Sequence, residues 1–433
     1  MKGCIVKIGD FLPVGGIEEY CRIIQKESKK IGIDLDIISI DIGAKKNEIK
    51  ERELMNGVKY TVYNIHNIDE FRNKLDEYES IILINSYVTT LTDIKTPESK
   101  NSILKECYAF YECYRDAKAT NKIYQNHFGI ERYTMKTPFA IEYILASDKA
   151  MGHSLDDDFY KMVKALGVPF EKIQLFTEFN VDKDKLVKEK TLKYIGRPST
   201  VKGYQYVRKF SKPLAKSGIR IEMHGMTRDV SSYHNLIKFD NVAYLDEYKN
   251  DNPEIFAYGP YSKTEVNDIL ANAMFAYLPF KTSGKSYGDR FEIAQLEAIA
   301  NGCVLILRKE QGENCKNKDG VRWIDIPHFA IWFDLKNLDK FVNEVIEISN
   351  NDELRKKYVD TIYNYAIENF DIKNCTKHIE KMFEKVEKSE CKIPNEVFQK
   401  YNKYKFKEVI NPMSILKGKI EKRVKQSFFE IED

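Results

Sequence analysis

Apolar residues fall along this chain in short runs separated by segments of helical spacing. CIVKIG at 4–9 is the first run, followed by a glycine loop, FLPVGG. From Ile17 to Lys30 the residues Ile17, Tyr20, Cys21 and Ile24 recur three or four apart, which predicts a helix that Gly32 ends. DLDIISIDI at 34–42, SIILIN at 80–85 and YILAS at 143–147 are predicted as further strands. The second of these is almost wholly apolar, as a strand covered on both faces should be. Strand, helix, strand in this rhythm implies βαβ crossovers and a parallel sheet.

Between 181 and 193 the chain reads VDKDKLVKEKTLK, a charged stretch poor in core residues that reads as a linker. A second series follows, with LKYIG at 192–196, IRIEMHG at 219–225, MFAYLPF at 274–280, CVLIL at 303–307 and AIWFD at 330–334. The expectation is an α/β protein of two Rossmann-like halves, residues 1–185 and 190–365. Residues 366–390 should form a helix returning to the first half, and 391–433 a basic extension. Ligands of open parallel sheets sit beyond the carboxyl ends of the strands, so the site is expected in a central cleft that the two domains face.

Composition narrows the class. At about 150 residues per domain, 433 residues give two or three domains. A hydrophobic fraction of 43%, a charged fraction of 31% and a mean hydropathy of −0.48 exclude disordered, collagenous and membrane-embedded chains. The start, MKGCIVKIGDF, lacks the apolar core and cleavage site of a signal peptide, so a cytoplasmic protein is expected. None of the eight cysteines stands in C-x-x-C or beside a His at ligand spacing, so reduced thiols are expected and zinc is not indicated. The net charge of +3 excludes a uniform cationic coat but not local patches. Two are candidates. YAFYECYRDAKATNKIY at 108–124 mixes aromatic and basic residues, and 398–426 holds nine Lys/Arg against two Glu beside Phe398, Tyr401, Tyr404 and Phe406.

Three segments could carry chemistry. Gly15-Gly16-Ile17-Glu18 lies between a strand and a helix, where glycines allow close backbone approach and a helix start can hold phosphate; a plain tight turn is the alternative. Gly196-Arg197-Pro198-Ser199-Thr200-Val201-Lys202-Gly203 places Arg and Lys on one loop, able to converge on a diphosphate or simply to face solvent. In YGDRFEIAQLEAIANG at 287–302, Asp289 is the predicted N-cap, Glu292 its capping-box partner, and Gly302 the helix end. That account leaves out Glu297, a carboxylate among Leu296, Ala298 and Ile299, and such a carboxylate is usually paired or used.

Together the GGIEE loop, the G-R-x4-K-G loop and the acidic pair eight apart resemble the retaining, nucleotide-sugar-dependent glycosyltransferases of the GT-B fold. In that group the GG loop and the Arg/Lys pair hold the donor diphosphate, while the two acids contact donor sugar and ribose. Asp289 and Glu297 match those positions, with Asp in place of Glu at 289 and Glu292 able to supply the longer carboxylate. Further stretches are similar to the T-even phage DNA α-glucosyltransferase family. They are LINSYVTTL at 83–91, YQNH at 124–127, KYIGRPSTVKGY at 193–204, EMHGMTRD at 222–229, FEIAQLEAIANG, KEQGENCK at 309–316 and AIWFDLKNLDKF at 330–341. These stretches fall in order over roughly residues 80 to 370, and the GG loop extends the similarity to the N-terminus.

The resemblance implies transfer of glucose from UDP-glucose to a 5-hydroxymethylpyrimidine in phage DNA, which protects it from restriction. Gly15, Gly16, Arg197, Lys202 and Glu297 would then bind the donor. Glu18, His127, Asp289 and Glu292 would act at the transferred sugar and the acceptor. The family has a His-Asp-His cluster where this chain has only Asn126-His127. His224 stands where the family is acidic, so no role passes to it. With Arg197, Lys202 and the helix start offsetting charge on the leaving diphosphate, no metal is expected. The expected partners are a nucleotide sugar and double-stranded DNA with hydroxymethylated bases, bound by a monomer in the host cytoplasm without membrane contact. A glycosyltransferase of cell-envelope polysaccharide or lipid, and an inert DNA-binding module, are the alternatives.

Overall fold

The computed structural model describes residues 1–9, 16–44, 48–53, 58–84, 97–127, 139–155, 158–196, 202–225, 253–259, 261, 263–280, 291–394 and 396. The chain divides into two compact units, Met1–Ile173 with Thr376–Asp433, and Gln174–Cys375.

The first unit runs β1 (Lys2–Ile8), α1 (Gly16–Ser28), β2 (Asp34–Asp41), β3 (Lys50–Glu53), β4 (Lys59–Asn64), α2 (Ile68–Leu75), β5 (Ser80–Ile84) and α3 (Pro97–Asp116). It continues with β6 (Asn121–Gln125), α4 (Ala140–Ala146), β7 (Lys149–Gly152), α5 (Asp158–Ala165) and β8 (Phe170–Lys172). The strands form one sheet in the order β3-β4-β2-β1-β5-β6-β7-β8, parallel except for the β3–β4 edge pair. The order reverses between β1 and β5, where doubly wound sheets open for ligands. YILAS, predicted as a strand, is instead the end of helix α4, and the strand is KAMG just after it. A five-residue apolar run has too few periods to separate helix from strand. Strand β6 was not predicted, because its sequence NKIYQ is mostly polar although all five residues are buried. Lys122 manages this by carrying its Nζ to the carbonyl of Arg115 at the end of α3, 2.7 Å away.

The second unit contains β9 (Glu189–Ile195), α6 (Val207–Lys216), β10 (Arg220–His224), β11 (Ile255–Ala257), α7 (Val266–Ala271), β12 (Ala273–Tyr277) and α8 (Ile293–Ala300). β13 (Val304–Arg308), α9 (Lys309–Asn314), β14 (Ile331–Phe333), α10 (Leu338–Ser349) and α11 (Asp352–Phe370) follow. Its six strands are all parallel, in the order β11-β10-β9-β12-β13-β14. Phe210, Tyr277, Phe333 and Phe341 pack edge to face on one side of this sheet, with centroids 5.0–5.9 Å apart. The two ends of the unit lie side by side. Thr177 donates its N–H to Phe370 O at 3.0 Å and accepts that of Ile372 at 2.9 Å. α12 (Cys375–Phe383) then carries the chain into the first unit. The architecture is α/β with two Rossmann-like parallel sheets, as expected from the sequence.

Candidate active site

In the first unit the sequence-predicted residues gather at the carboxyl ends of β1 and β6. Lys7, one residue before the end of β1, lies 2.8 Å from Glu18 Oε1, and both side chains are buried. Gly15 lies outside the described residues, and Gly16 opens α1. A Cβ on Gly16 would meet nothing within 4 Å among the described residues. One turn further, the Tyr20 hydroxyl accepts from Gln125 Nε2 at 3.0 Å. The same amide nitrogen faces the sulfurs of Met151 and Met382, at 3.4 and 3.3 Å, which turns the Gln125 carbonyl oxygen toward His127 Nε2 at 3.1 Å. A neutral His127 in that pairing carries its proton on Nε2. Its ring stands edge-on to Tyr20 at 4.7 Å and to His153 at 5.4 Å. Tyr20 thus joins the helix turn of Glu18 to His127. Sequence reasoning missed Lys7, Tyr20 and His153; Gln125 was visible only inside the YQNH match.

In the second unit β9 leaves the sheet at Gly196, whose φ is 130°. Arg197 lies outside the described residues. Lys202 places its Nζ 3.8 Å from the Phe280 ring centroid. Beside it Gly203 has a φ of 75°, and a Cβ there would lie 2.8 Å from Pro279 Cγ, so this position requires glycine. The Tyr277 hydroxyl donates to Gly203 O at 3.3 Å. The start of α8 reaches the same stretch through Gln295, whose Nε2 donates to Leu278 O at 3.1 Å. Leu278-Pro279-Phe280 is therefore where the Lys202 loop and the Glu292 end of α8 come together.

The cap of α8 differs from the prediction. Asp289 lies outside the described residues, and the N-cap is Glu292, extended at ψ 155°, with Gln295 as its reciprocal partner. The box is shifted by three residues, because Phe291 is buried against Trp323 at 4.5 Å and the helix starts only after it. Glu297 is buried on α8, where its carbonyl accepts the backbone and side-chain N–H groups of Asn301. The N–H of Gly302, with φ 65°, bonds Ile299 O.

An ionic network lies on the neighbouring strands. Glu222 Oε2 is 3.1 Å from Lys193 Nζ and 3.3 Å from His224 Nε2, and Oε1 is 2.6 Å from Arg220 Nε. Burial opposes the charge on Glu222, but the hydrogen bonds of His224, Lys193 and Arg220 outweigh it and hold the carboxyl at about 2. Asn272 completes the partners of Lys193 at 2.7 Å.

Two sequence signals turn out to be packing. Gly312 of the GEN motif lies against the Trp332 indole of IWFD, where a Cβ would come within 2.5 Å of Cζ3. In the 108–124 segment, Phe110, Tyr114 and Tyr124 are buried in the core of the first unit. Its Arg115 is matched by Asp116 and Glu112, and Lys118 by Asp76. The exposed cations of that segment are thus paired with carboxylates, and of its aromatic residues Tyr108 stays exposed. None of the eight cysteines is in a disulfide. Among the described residues no group of His, Cys, Asp and Glu could hold a metal, and no helix is long and apolar enough to cross a membrane.

No protein-family model matches the chain, and no curated protein sequence matches it. Solved structures do. An alpha-glucosyltransferase in complex with UDP-glucose and DNA containing an abasic site aligns with a TM-score of 0.66 at 16% identity, over 88% of this chain and 99% of that one. The same enzyme type bound to UDP and a 13-mer DNA with a central A:G mismatch gives 0.67 at 16%, over the same shares. A mutant of Staphylococcus aureus TarM, in complex with Fondaparinux, alpha-GlcNAc-glycerol and UDP, gives 0.55 at 11%, over 88% and 100%. The chain has the GT-B fold. Within that GT-B fold the described motif residues fall at strand ends of both sheets, Glu18 and His127 in one unit, Lys202 and Glu292 in the other.

Proposed function

We propose that this protein is a retaining glycosyltransferase that moves glucose from UDP-glucose to a 5-hydroxymethylpyrimidine base in double-stranded DNA. The observation that carries the reading is the alignment of nearly the whole of an alpha-glucosyltransferase bound to UDP-glucose and DNA onto this chain. The convergence of the Lys202 loop and the Glu292-capped helix on Leu278–Phe280 supports a donor site in the second unit.

Arg197 and Lys202 offset the charge of the donor diphosphate, Gly15 and Gly16 allow the GG loop to approach it, and Glu297 contacts the ribose. Asp289 and Glu292 contact the transferred sugar, while Glu18 and His127 face the acceptor. The bond between sugar C1 and the β-phosphate oxygen breaks as the base hydroxymethyl oxygen bonds C1 from the same face. The proton of that hydroxyl passes to the departing phosphate. Lys and Arg charge on the leaving group makes a metal unnecessary. A target base is reached most simply when extruded from the duplex. The enzyme acts as a monomer in the host cytoplasm, and the glucosylated DNA resists restriction.

The test is incubation with radiolabelled UDP-glucose and duplexes containing hydroxymethylcytosine, hydroxymethyluracil or cytosine. Label in the hydroxymethylated duplexes alone is expected, with the α-anomer by NMR. Label in lipid or polysaccharide but in no duplex would replace this reading with envelope glycosylation. Donor binding without transfer to any of them would leave an inert binding module.

A further inference from the structure

One buried side chain at the His127 end of the first sheet has no part in the mechanism above. Gln125 closes β6 and has no exposed surface. An amide is kept inside a protein when both of its halves find partners, and here the two halves find different ones. Nε2 faces the Tyr20 hydroxyl at 3.0 Å, the Met382 sulfur at 3.3 Å and the Met151 sulfur at 3.4 Å. Oε1 faces His127 Nε2 at 3.1 Å. As far as Tyr20 is concerned the amide could be turned over, because a hydroxyl donates as readily as it accepts. The two thioethers have no such freedom. They accept and never donate, so they draw the N–H end of the amide and leave its carbonyl for His127.

The sulfurs thereby act on the imidazole. A ring nitrogen set against a carbonyl oxygen has to carry a hydrogen, so neutral His127 is protonated on Nε2 and accepts through Nδ1. Tyr20 and His153 stand edge-on to the His127 ring at 4.7 and 5.4 Å, and His153 is itself buried. We propose that Gln125 is a positioning residue for sugar transfer: held by Met151 and Met382, it selects the His127 tautomer that offers Nδ1 as an acceptor to a substrate hydroxyl. This rests on the glycosyltransferase reading above and changes no bond in that mechanism, since the hydroxymethyl proton still passes to the departing phosphate. In the other tautomer Nδ1 would carry the hydrogen, and the hydroxyl would meet a donor instead of a lone pair. Met382 lies on α12, 257 residues from Gln125 in sequence, so that helix takes part in the selection.

The test uses the full chain labelled with 15N-histidine, without ligand and near neutral pH, with the His127 signals identified by their loss in His127→Gln. Two-bond nitrogen–proton spectra should show the hydrogen on Nε2 and none on Nδ1. Met151→Leu combined with Met382→Leu keeps the packing volume but removes both sulfur acceptors, and should bring in the Nδ1–H form. Gln125→Leu should slow transfer about tenfold or more at saturating DNA and UDP-glucose, with UDP affinity unchanged. Gln125→Glu, which retains an oxygen for Nε2, should recover part of that loss. A raised KM for DNA alone assigns the hydroxyl to the acceptor, and a raised KM for UDP-glucose alone assigns it to the sugar. A hydrogen on Nδ1 in the wild type would overturn the proposal, as would a Gln125→Leu chain that transfers at the wild-type rate, or one whose loss Gln125→Glu does not recover. Nε2–H in a chain that transfers no sugar keeps the selected tautomer and sinks the catalytic reading; Nδ1–H in a chain that does transfer it has the opposite meaning.

Discussion

His378→Gln should remove an acid-sensitive weakness from the first unit. His378 sits on α12, 6% exposed. Burial, reinforced by the positive charges of Lys381 and Lys149, pushes its imidazole down from 6.5 to about 4. Above pH 6.5 the ring is neutral folded and unfolded, and titration contributes nothing. Between 6.5 and 4 the unfolded chain takes a proton that the folded chain refuses, so stability falls as pH falls. Working from those two values, the loss is about 1.4 kcal/mol at pH 5.5 and about 2.6 kcal/mol at pH 4.5. Native-state hydrogen exchange reads this unit by unit. At each pH the wild-type and variant peptides from 121–125 and 149–152 are compared, so intrinsic exchange rates cancel, with 304–308 of the second unit as a control. Relative to the variant, wild-type protection should fall about tenfold from pH 7.5 to 5.5. A wild-type-to-variant ratio that stays flat down to pH 4.5 would refute the reasoning.

Three further outcomes are expected. Glu222→Gln should cost the second unit about 3 kcal/mol at pH 7, because Lys193 then lies buried without its carboxylate. In the wild type the stability due to this carboxylate is complete above about 4.5 and lost as pH falls toward 2; denaturation followed by tryptophan fluorescence checks both, since Trp323 and Trp332 lie in this unit. Gly312→Ala should destabilise the second unit by about 1–3 kcal/mol and shift Trp332 emission, because the added methyl occupies the space of the indole. Lys202→Ala should weaken UDP binding at least tenfold by calorimetry, with partial recovery in Lys202→Arg; unchanged affinity would remove Lys202 from the donor site.

Strands were legible wherever they were apolar throughout, as with SIILIN and MFAYLPF. It was illegible where burial depends on distant partners, as in NKIYQ, whose Lys122 and Gln125 become core residues only once α3 and Tyr20 are in place. Helix α8 was recognised, but its start was set by Phe291 packing on Trp323, a contact between residues 32 apart in sequence. The GEN and IWFD stretches pointed to the right fold for a reason the sequence concealed, since glycine and tryptophan there fit each other. What links Glu18 to His127 in space is Tyr20, one helix residue that no motif flagged.

The pairing of Thr177 with Phe370 and Ile372 has a consequence for biosynthesis. It makes the second unit an insertion whose entrance and exit are stitched together, so this unit can close on itself once residue 375 has emerged. The first unit, although begun earlier, lacks α12 and the residues after it, which bond Leu145, Ala165 and Gly167, until residue 392 has emerged, and Lys149 has no carbonyls to bind before Lys381 and Glu384 are in place. Synthesis from the N-terminus thus runs against the order in which the halves can be completed, and the inserted unit finishes first.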